Sequence, residues 1–265
     1  MVSKTPNKQV QVLALHGFTG CGEDFVEFSP LCSLRFNWIC PDLPGHGPKP
    51  SLSCTPDATI EFLNRHTLEH PRILLGYSMG ARAALLHSIK YPGHWDALIL
   101  ISVNPGIEVE TERAKRAFND QTLARTILDT GVPAFLKHWQ RTPIIRSQQR
   151  IRPNWLTKIQ KNRLNHTAEG LAASLEQFGL AAYPNLWPML NRLKCPILLI
   201  TGEHDSKYCT FARRISTVLP QTRWECIPKA GHMAHLEAPE QVAAAIRSFE
   251  HDIFHKLTPG CNAKM

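Results

Sequence analysis

Apolar residues in this chain fall into short runs that are separated by longer stretches with helical periodicity. A short, continuously apolar run is typical of a strand buried on both faces of a sheet, and helices between such strands imply that the strands are parallel. The pattern therefore predicts an α/β fold with a mostly parallel central sheet and helices on both faces. The predicted strands cover residues 9–16, 37–40, 72–75, 96–102, 194–201 and 223–228.

The alternation of strands and helices stops after residue 104 and resumes near residue 191. Between these points apolar residues recur only at helical spacing, which predicts an all-helical lid inserted into the α/β core. We expect a core in two parts, residues 1–104 and 191–257, a lid at 105–190, and a disordered tail at 258–265. Helices are predicted in the lid at 111–130, 133–141, 153–164 and 168–180, and in the core at 55–69, 210–219 and 238–254.

The composition supports a single domain that carries this insertion. A chain of 265 residues, of which 43% are hydrophobic, can bury a large core. The first residues are polar, and no apolar run approaches the length needed to cross a bilayer. We therefore expect a cytoplasmic protein without a membrane span. As a separate expectation, we take the protein to be a monomer or a small homo-oligomer. Its eight cysteines are scattered without a Cys-x-x-Cys pair, which favours reduced thiols over a disulfide framework.

Positive charge is concentrated in the predicted lid. The formal net charge is +8, and residues 105–194 hold 14 Lys and Arg against 7 Asp and Glu. Such a basic segment attracts anions, so nucleic acid, acidic lipid and a small acidic substrate are all candidates. A solvated helical face explains the same charges without any ligand. No nucleic-acid-binding motif accompanies the charge, and nucleic acid is therefore not expected as a partner.

The most informative motif is Gly-x-Ser-x-Gly at residues 76–80, between a predicted strand and an alanine-rich helix. This placement is that of a nucleophile elbow, the sharp turn that exposes the catalytic serine of an α/β hydrolase. Gly76 and Gly80 lack a Cβ, so strand and helix can approach closely while Ser78 takes a strained backbone. A chance match in a surface loop is the alternative, and the flanking elements favour the elbow.

The order of candidate catalytic residues along the chain agrees with this fold. An α/β hydrolase carries its triad in the order Ser, Asp or Glu, His. Asp205 follows the first predicted strand after the lid, and His232 follows the last predicted strand. We predict Ser78, Asp205 and His232 as the triad, with Glu203 and His235 as weaker alternatives for the acid and the base. No set of ligands at metal-binding spacing surrounds the two histidines, so no metal and no cofactor are expected.

Two further features belong to the surroundings of Ser78. In a hydrolase-type sheet, the main-chain N–H groups of Phe18, in the loop after the first strand, and of Met79 would form the oxyanion hole. Arg82 comes one helical turn after Ser78, so it can approach the same pocket. A buried arginine needs a partner, which would be either a substrate carboxylate or a structural ion pair.

Several less common runs accompany these motifs: Gly76-Tyr77-Ser78-Met79-Gly80-Ala81-Arg82, Asn104-Pro105-Gly106, Glu112-Arg113 with Arg116 and Asp120, Phe135 with Trp139, Arg163 with Gly170-Leu171-Ala172, Gly202-Glu203-His204-Asp205-Ser206-Lys207-Tyr208, and Gly231-His232-Met233-Ala234-His235. Together they resemble the 2-succinyl-6-hydroxy-2,4-cyclohexadiene-1-carboxylate synthases of menaquinone biosynthesis. The resemblance runs from about residue 10 to residue 249. It departs from the family at Ala81, where a second glycine is common.

The resemblance implies a lyase that eliminates pyruvate from 2-succinyl-5-enolpyruvyl-6-hydroxy-3-cyclohexene-1-carboxylate, a small tricarboxylate. Ser78, activated by His232 and Asp205, would act as a base on a ring C–H, and the oxyanion hole would stabilise an enolate. The residues leave open a carboxylesterase or carbon–carbon bond hydrolase in which Ser78 is a nucleophile. A non-catalytic protein that binds nucleic acid through the lid is a third hypothesis, against which the complete triad argues.

The resemblance also implies substrate-binding residues. Three arginines would bind the carboxylates and two aromatic residues would line the site: Arg82, Arg116, Arg163, Tyr77 and Trp139. Two neighbouring arginines of the lid, Arg113 and Arg125, compete with Arg116 for its role.

Overall fold

The computed structural model describes residues 9–254, so the tail predicted at 258–265 lies outside the described residues. Within residues 9–254, six parallel strands form one sheet, and the predicted α/β fold with a parallel central sheet is confirmed. The strands are β1 (Val10–Leu15), β2 (Phe36–Ile39), β3 (Arg72–Tyr77), β4 (Ala97–Ile101), β5 (Ile197–Gly202) and β6 (Thr222–Ile227). Their order across the sheet is β2-β1-β3-β4-β5-β6. The carboxyl ends of all these strands therefore meet at one edge.

Helices connect the strands on both faces of the sheet. They are α1 (Pro56–Asn64), α2 (Met79–Lys90), α3 (Glu110–Trp139), α4 (Pro143–Arg146), α5 (Pro153–Arg163), α6 (Ala168–Phe178), α7 (Ser206–Val218), α8 (Ala234–Glu237) and α9 (Pro239–Phe254). Among the helices in this described part of the chain, none is both long and apolar enough to cross a membrane.

Two of the core helices differ in extent from their predicted ranges. Helix α1 starts as predicted, where Thr55 accepts a hydrogen bond from the Ala58 N–H, but it ends five residues early, at Asn64. Helix α7 begins at Ser206, directly behind Asp205, and not at residue 210. The side chain of Asp205 does not cap this helix, because its carboxylate is engaged elsewhere. Asp205 thus lies directly before α7 and shortly after β5, at the edge of the sheet.

The sheet is buried on both faces, as its continuous apolar strands predict. Alternate residues of a strand point to opposite faces. Leu74 and Leu98 belong to the apolar layer that contains α2, whereas Ile73 and Ile99 belong to the layer that contains α9. Side chains of β3 and β4 are thus covered on both sides, and the centre of the sheet is rigid where the elbow leaves it.

The segment between β4 and β5 carries helices α3 to α6, and we call it the insertion (residues 105–190). Helix α3 is bent at Gly131, whose φ of 76° interrupts the helical backbone two residues before Pro133. This is the point at which the sequence predicts a break between two helices. Helices α3 and α6 pack on each other through their own apolar cluster, which includes Ala124, Ile127, Leu171 and Leu175.

A row of buried histidines joins the insertion to the core. The His166 ring accepts a hydrogen bond from the Gly47 N–H at 2.9 Å and donates one to the Thr19 carbonyl oxygen at 3.0 Å. The ring of His46 lies between His166 and His16, with ring centroids 5.3 and 4.9 Å away. His16 Nε2 in turn accepts a hydrogen bond from the Leu43 N–H at 2.9 Å. These contacts require neutral imidazoles, because a second proton on His166 or His16 would remove an acceptor.

Acidification is expected to destabilise the fold, because buried imidazoles are held neutral. Burial lowers the pKa of His16 to about 4 and that of His235 to about 3, from an ordinary value of 6.5. Below pH 6.5 the unfolded chain therefore binds protons that the folded chain does not, and stability falls as the pH decreases towards these values. Asp24 acts in the opposite direction, since burial raises its pKa to about 6. At about pH 5, His16 and His235 together lower the free energy of unfolding by about 4 kcal/mol, and Asp24 offsets about 1 kcal/mol of this. Burial also lowers the pKa values of His46, His87 and His166, so these imidazoles add to the loss.

Denaturant unfolding at about pH 7.5 and about pH 5 measures the total loss of stability, which should be at least about 3 kcal/mol. His235→Leu is the matched control, because neither ring nitrogen of His235 has a hydrogen-bond partner among the described residues. In this variant the pH-dependent loss should shrink by about 2 kcal/mol, since one proton-binding site has been removed from the unfolded chain. An undiminished loss in the variant would contradict the assignment to His235.

Candidate active site

Ser78 alone separates the end of β3 from the start of α2. Its φ of 52° and ψ of −107° are strained for a residue that has a Cβ. Close packing around it depends on two glycines. A Cβ on Gly76 would lie 2.4 Å from the Gly80 carbonyl oxygen, and a Cβ on Gly80 would lie 2.1 Å from the Leu15 carbonyl oxygen. The elbow therefore brings the strand, the helix and β1 together and presents the serine hydroxyl at the carboxyl edge of the sheet.

The structure brings Ser78, His232 and Asp205 into hydrogen-bond contact. His232 Nε2 lies 2.9 Å from Ser78 Oγ, and His232 Nδ1 lies 2.7 Å from Asp205 Oδ2. A carboxylate only accepts hydrogen bonds, so the Nδ1 that faces it carries a proton and Nε2 is left to accept from the serine hydroxyl. This is the tautomer that a general base needs. The three residues come from the ends of β3, β5 and β6, which a parallel sheet places at one edge.

The alternative acid and base lie elsewhere. Glu203 is exposed and accepts a hydrogen bond from the Lys229 N–H at 2.8 Å. His235 is fully buried, stacks on Phe25 with a centroid distance of 5.5 Å, and does not contact Ser78 by a hydrogen bond. Within residues 9–254, no group of three or more His, Cys, Asp or Glu side chains is arranged to hold a metal ion.

Ser102 is a neighbour of the triad that the sequence did not indicate. It follows β4, with a φ of 52°, and its Oγ lies 3.1 Å from both Asp205 Oδ2 and the His232 carbonyl oxygen. The hydroxyl therefore contacts the same carboxylate oxygen that faces the imidazole, and it helps to fix the orientation of Asp205. A serine after a buried strand is common in any α/β protein, so the sequence held no signal for this contact.

The two residues predicted to form the oxyanion hole lie beside Ser78 in the cavity wall. Phe18 and Met79 both line the cavity described below, and neither N–H donates a hydrogen bond to another part of the described chain. Met79 is the first residue of α2, so the partial positive charge of the helix N-terminus adds to its N–H. A Cβ on Gly17 would lie 2.7 Å from the Tyr77 ring, so the loop can approach only without a side chain there. The role of Phe18 and Met79 as an oxyanion hole stays a prediction.

A cavity of about 290 Å³ lies between the elbow and the insertion. Its walls are mainly apolar and aromatic, with a few polar and charged groups, as in small-molecule sites generally. The lining residues are Phe18, Tyr77, Ser78, Met79, Arg82, Asn104, Arg116, Asn119, Asp120, Leu123, Trp139, Ile144, Ile145, Ser174, Leu175, Phe178, Gly179, Leu180, Tyr208 and His232.

Arg82 lines this cavity as a buried cation, and no carboxylate within residues 9–254 forms an ion pair with it. Its side chain donates to the Phe178 carbonyl oxygen at 2.8 Å, and its guanidinium lies 5.2 and 5.1 Å from the ring centres of Phe178 and Tyr183. Burial lowers its pKa to about 10, so the group remains charged at neutral pH. A buried charge of this kind is costly without an anion. The structural ion pair considered for Arg82 is absent from the described residues, which favours a bound anion.

Of the three competing arginines of α3, Arg116 lines the cavity. Its Nε lies 2.8 Å from Asp120 Oδ1, so a carboxylate of the same helix already balances part of its charge. Arg113 instead donates to main-chain carbonyl oxygens of Ile107, Ala181 and Tyr183, where it holds the two ends of the insertion together. Arg125 lies on a separate groove between α3 and α6.

Arg163 is not among the residues that line the cavity. It is 3% exposed, its Nη2 donates to Gln148 Oε1 at 2.8 Å, and burial lowers its pKa while nearby Asp24 raises it. Arg163 lies outside the cavity wall because it is the last residue of α5 and its side chain is buried where the insertion contacts the core. In this arrangement Arg163 has protein partners, and its role in substrate binding stays a prediction.

The two predicted aromatic residues do line the cavity. Trp139 stacks on Phe135 and meets the edge of Phe18, each at a centroid distance of 5.6 Å. Burial raises the pKa of Tyr77 well above its ordinary value. Tyr208 is an additional wall residue, whose ring centre lies 4.5 Å from that of His232. The sequence analysis named Tyr208 only as part of one of the less common runs and assigned it no role. Its position one helical turn after Asp205 could have indicated that it lies in the site.

Comparison with known proteins agrees with this geometry. The chain matches the alpha/beta hydrolase family over residues 12–245. It is 34% identical to a putative 2-succinyl-6-hydroxy-2,4-cyclohexadiene-1-carboxylate synthase from Bacillus subtilis, over 92% of this chain and 91% of that relative.

Two solved structures are similar over most of their length. MenH from S. aureus is 29% identical with a TM-score of 0.84, over 92% of this chain and 94% of that one. A thermophilic esterase from Thermogutta terrifontis, solved with malate bound, is 26% identical with a TM-score of 0.77, over 93% of this chain and 91% of that one.

Proposed function

This chain belongs to the alpha/beta hydrolase family and, within it, to the 2-succinyl-6-hydroxy-2,4-cyclohexadiene-1-carboxylate synthases, and we infer that it eliminates pyruvate from 2-succinyl-5-enolpyruvyl-6-hydroxy-3-cyclohexene-1-carboxylate. The observation that carries this inference is the buried Arg82, one helical turn from Ser78, which forms no ion pair with a carboxylate within residues 9–254. An ester hydrolase with a neutral substrate has no use for such a cation. A substrate with three carboxylates supplies the missing partner.

The reaction moves one ring proton and expels one enolate. The proton leaves the ring carbon next to the succinyl carbonyl, and its C–H electron pair becomes a new ring double bond. The existing ring double bond shifts by one position, and the bond between the ring and the enolpyruvyl oxygen breaks. The released enolate takes up a proton and becomes pyruvate.

Ser78, His232 and Asp205 handle these protons in our proposal. His232 Nε2 accepts the hydroxyl proton of Ser78 while Ser78 Oγ takes the ring proton, so the serine is restored in the same step. Asp205 stabilises the imidazolium that forms. The imidazolium then protonates the departing enolate, which returns the triad to its starting state.

The N–H groups of Phe18 and Met79 stabilise the charge that develops on the succinyl carbonyl oxygen when the ring proton leaves. This is the electrostatic task of an oxyanion hole, applied to an enolate. Arg82 and Arg116 bind substrate carboxylates, and Tyr77 and Trp139 hold the ring. Arg82 is expected to bind more strongly than Arg116, because Asp120 already neutralises part of the charge on Arg116.

A carboxylesterase is the second candidate function. The contact of 2.9 Å between His232 Nε2 and Ser78 Oγ would equally activate the serine as a nucleophile, and an esterase is among the similar structures. The two functions differ in the fate of Ser78, which becomes acylated in an esterase and stays free in the lyase.

An assay for pyruvate decides between them. Purified protein with the enolpyruvyl substrate, coupled to lactate dehydrogenase, should release one pyruvate per substrate without added metal. p-Nitrophenyl acetate in parallel should be hydrolysed slowly or not at all. Fast ester turnover with a trapped acyl group on Ser78, and no pyruvate, would overturn the lyase and support the esterase.

A further inference from the structure

Two cysteine thiols lie side by side near the edge of the sheet, close to the catalytic acid. Cys209 is in the first turn of α7 and Cys226 is in β6, and their Sγ atoms are 3.8 Å apart. Both are free thiols, and the proposed reaction uses neither of them. Because 17 positions separate them in the chain, spacing could not identify them as a pair.

The pairing of β5 with β6 builds this contact. Thr201 of β5 lies opposite Cys226 in the register of the two parallel strands. Helix α7 packs on both strands and places Cys209 over that pair, with its Sγ 3.3 Å from Thr201 Oγ1 and 3.3 Å from the Gly202 carbonyl oxygen. Among residues 9–254, β6 ends the sheet and pairs only with β5. Cys226 therefore lies on a strand that is free to shift slightly on its outer side.

The two thiols differ in their access to solvent. Cys226 is exposed, whereas Cys209 is half-buried. Partial burial raises the pKa of Cys209, so this group is held as the neutral thiol at neutral pH. An oxidant in solution therefore meets Cys226 first, and Cys209 is placed to react with the oxidised sulfur. An accessible cysteine beside a second one that resolves it is typical of thiols that oxidise reversibly.

We propose that Cys209 and Cys226 form an oxidation site, at which hydrogen peroxide converts the two thiols reversibly to one intrachain disulfide. The Cys226 sulfur attacks one peroxide oxygen, the O–O bond breaks, and a sulfenic acid and one water form. Cys209 Sγ then attacks the sulfenic sulfur, the S–O bond breaks, and the departing hydroxide takes the Cys209 proton to form a second water. The two thiols give up two electrons, which reduce the peroxide. Dithiothreitol reverses the step by thiol–disulfide exchange.

The disulfide has to move the first turn of α7. Its sulfurs must lie about 2.05 Å apart, so the present separation of 3.8 Å must shrink by almost half. The N–H groups of Tyr208 and Cys209 both donate to the Asp205 carbonyl oxygen at 2.9 Å. A pull on Cys209 towards β6 therefore reaches the catalytic acid, and it also reaches Tyr208, whose ring lines the cavity beside His232.

The disulfide form is therefore expected to be less active than the reduced form. This effect on pyruvate release rests on the proposed function, whereas formation of the disulfide does not.

Peptide mapping detects the disulfide directly, because trypsin leaves each cysteine in a short peptide of its own. Residues 208–213 form one tryptic peptide, with Cys209 as its single cysteine, and residues 224–229 form another, with Cys226. The full-length protein is treated with hydrogen peroxide, its remaining thiols are alkylated, and the digest is analysed by mass spectrometry. The two peptides should appear joined, at their combined mass less two hydrogens, and dithiothreitol should separate them.

Pyruvate release should fall about tenfold in kcat/KM on oxidation and recover with dithiothreitol, because small displacements in a catalytic site are costly. Cys226→Ser should match the untreated wild type and should resist peroxide, since the exposed sulfur is gone. Cys209→Ser should likewise form no disulfide. Cys195→Ser is the matched control, because it removes another free, partly buried thiol just before β5. Peroxide should still join the two peptides in this variant and lower its activity as in the wild type.

Oxidation of Cys226 alone to the sulfinic or sulfonic acid, with the two peptides separate, would overturn the proposed site. Disulfide-linked protein that releases pyruvate at the untreated rate would overturn the effect on the cavity, as would an equal loss of activity in peroxide-treated Cys226→Ser. An untreated protein that releases no pyruvate would refute the proposed function, whereas the peptide map would still decide whether the two thiols form a disulfide.

Discussion

Pyruvate release is expected to fall by about 1000-fold or more when Ser78 is replaced by alanine. The variant loses the atom that takes the ring proton, while the cavity, the oxyanion hole and Arg82 remain. Binding of the substrate should therefore change little, and the loss should lie in kcat. Steady-state kinetics with the coupled pyruvate assay, together with calorimetric binding of the substrate to the inactive variant, measures both effects.

Ser88→Ala is the matched control for this prediction. Ser88 lies on α2, the helix that begins at the elbow, and its hydroxyl only donates to the Ala84 carbonyl oxygen within that helix. Its removal should leave kcat unchanged. His232→Ala should lose about as much as Ser78→Ala, and the double variant should lose no more, because the residues of a triad act as a unit. Unimpaired turnover by Ser78→Ala would contradict the assignment of this serine as the base.

Arg82→Met is expected to lower activity without lowering the stability of the fold. The variant should lose about 100- to 1000-fold in kcat/KM, because a buried cation that meets a substrate carboxylate is removed. Its free energy of unfolding should stay the same or rise by about 1–2 kcal/mol, since the free protein no longer buries an unpaired charge. Methionine can pack against the rings of Phe178 and Tyr183 that the guanidinium now contacts. Denaturant unfolding and the pyruvate assay on the same preparation measure the two effects.

Arg72→Met provides the opposite pattern as a control. Arg72 begins β3, at the far end of the strand from Ser78, where it lies over Trp95 and donates to the carbonyl oxygens of Leu68 and His94. Its loss should lower stability and leave kcat/KM unchanged. A large loss of stability in Arg82→Met, with little effect on kcat/KM, would show that Arg82 is structural and would remove the main support for an acidic substrate.

Much of the site was predictable because its parts are local in sequence. The elbow is a strand, one serine and a helix in direct succession, and its glycines can be identified from spacing alone. Asp205 and His232 were predictable for a different reason, because each directly follows a strand and a parallel sheet gathers such positions at one edge. The helical insertion was visible as an interruption of the alternating pattern.

The assignment of the arginines was less predictable. Helical spacing put Arg82 near Ser78, but it could not say whether a carboxylate of the protein would neutralise it. Spacing also did not distinguish Arg113, Arg116 and Arg125, which occupy one helix and face different surroundings. The resemblance suggested Arg163 as a ligand, whereas the fold turns that side chain to Gln148.

The sequence by itself determined the fold and the family, and it picked out Ser78, Asp205 and His232, which the structure brings into hydrogen-bond contact. Each of these depends on the order of elements or on residues that are neighbours in the chain. Only the tertiary structure decided that Arg82 is a buried cation without an ion pair among residues 9–254. It also decided that Glu237 joins Ser147 of the insertion to the main chain of Gly231 and Met233, on either side of His232. The contacts concerned join residues 96 positions apart, for Arg82 and Phe178, and 90 apart, for Ser147 and Glu237. Contacts over such separations follow no local period, and they form only when the insertion packs against the core.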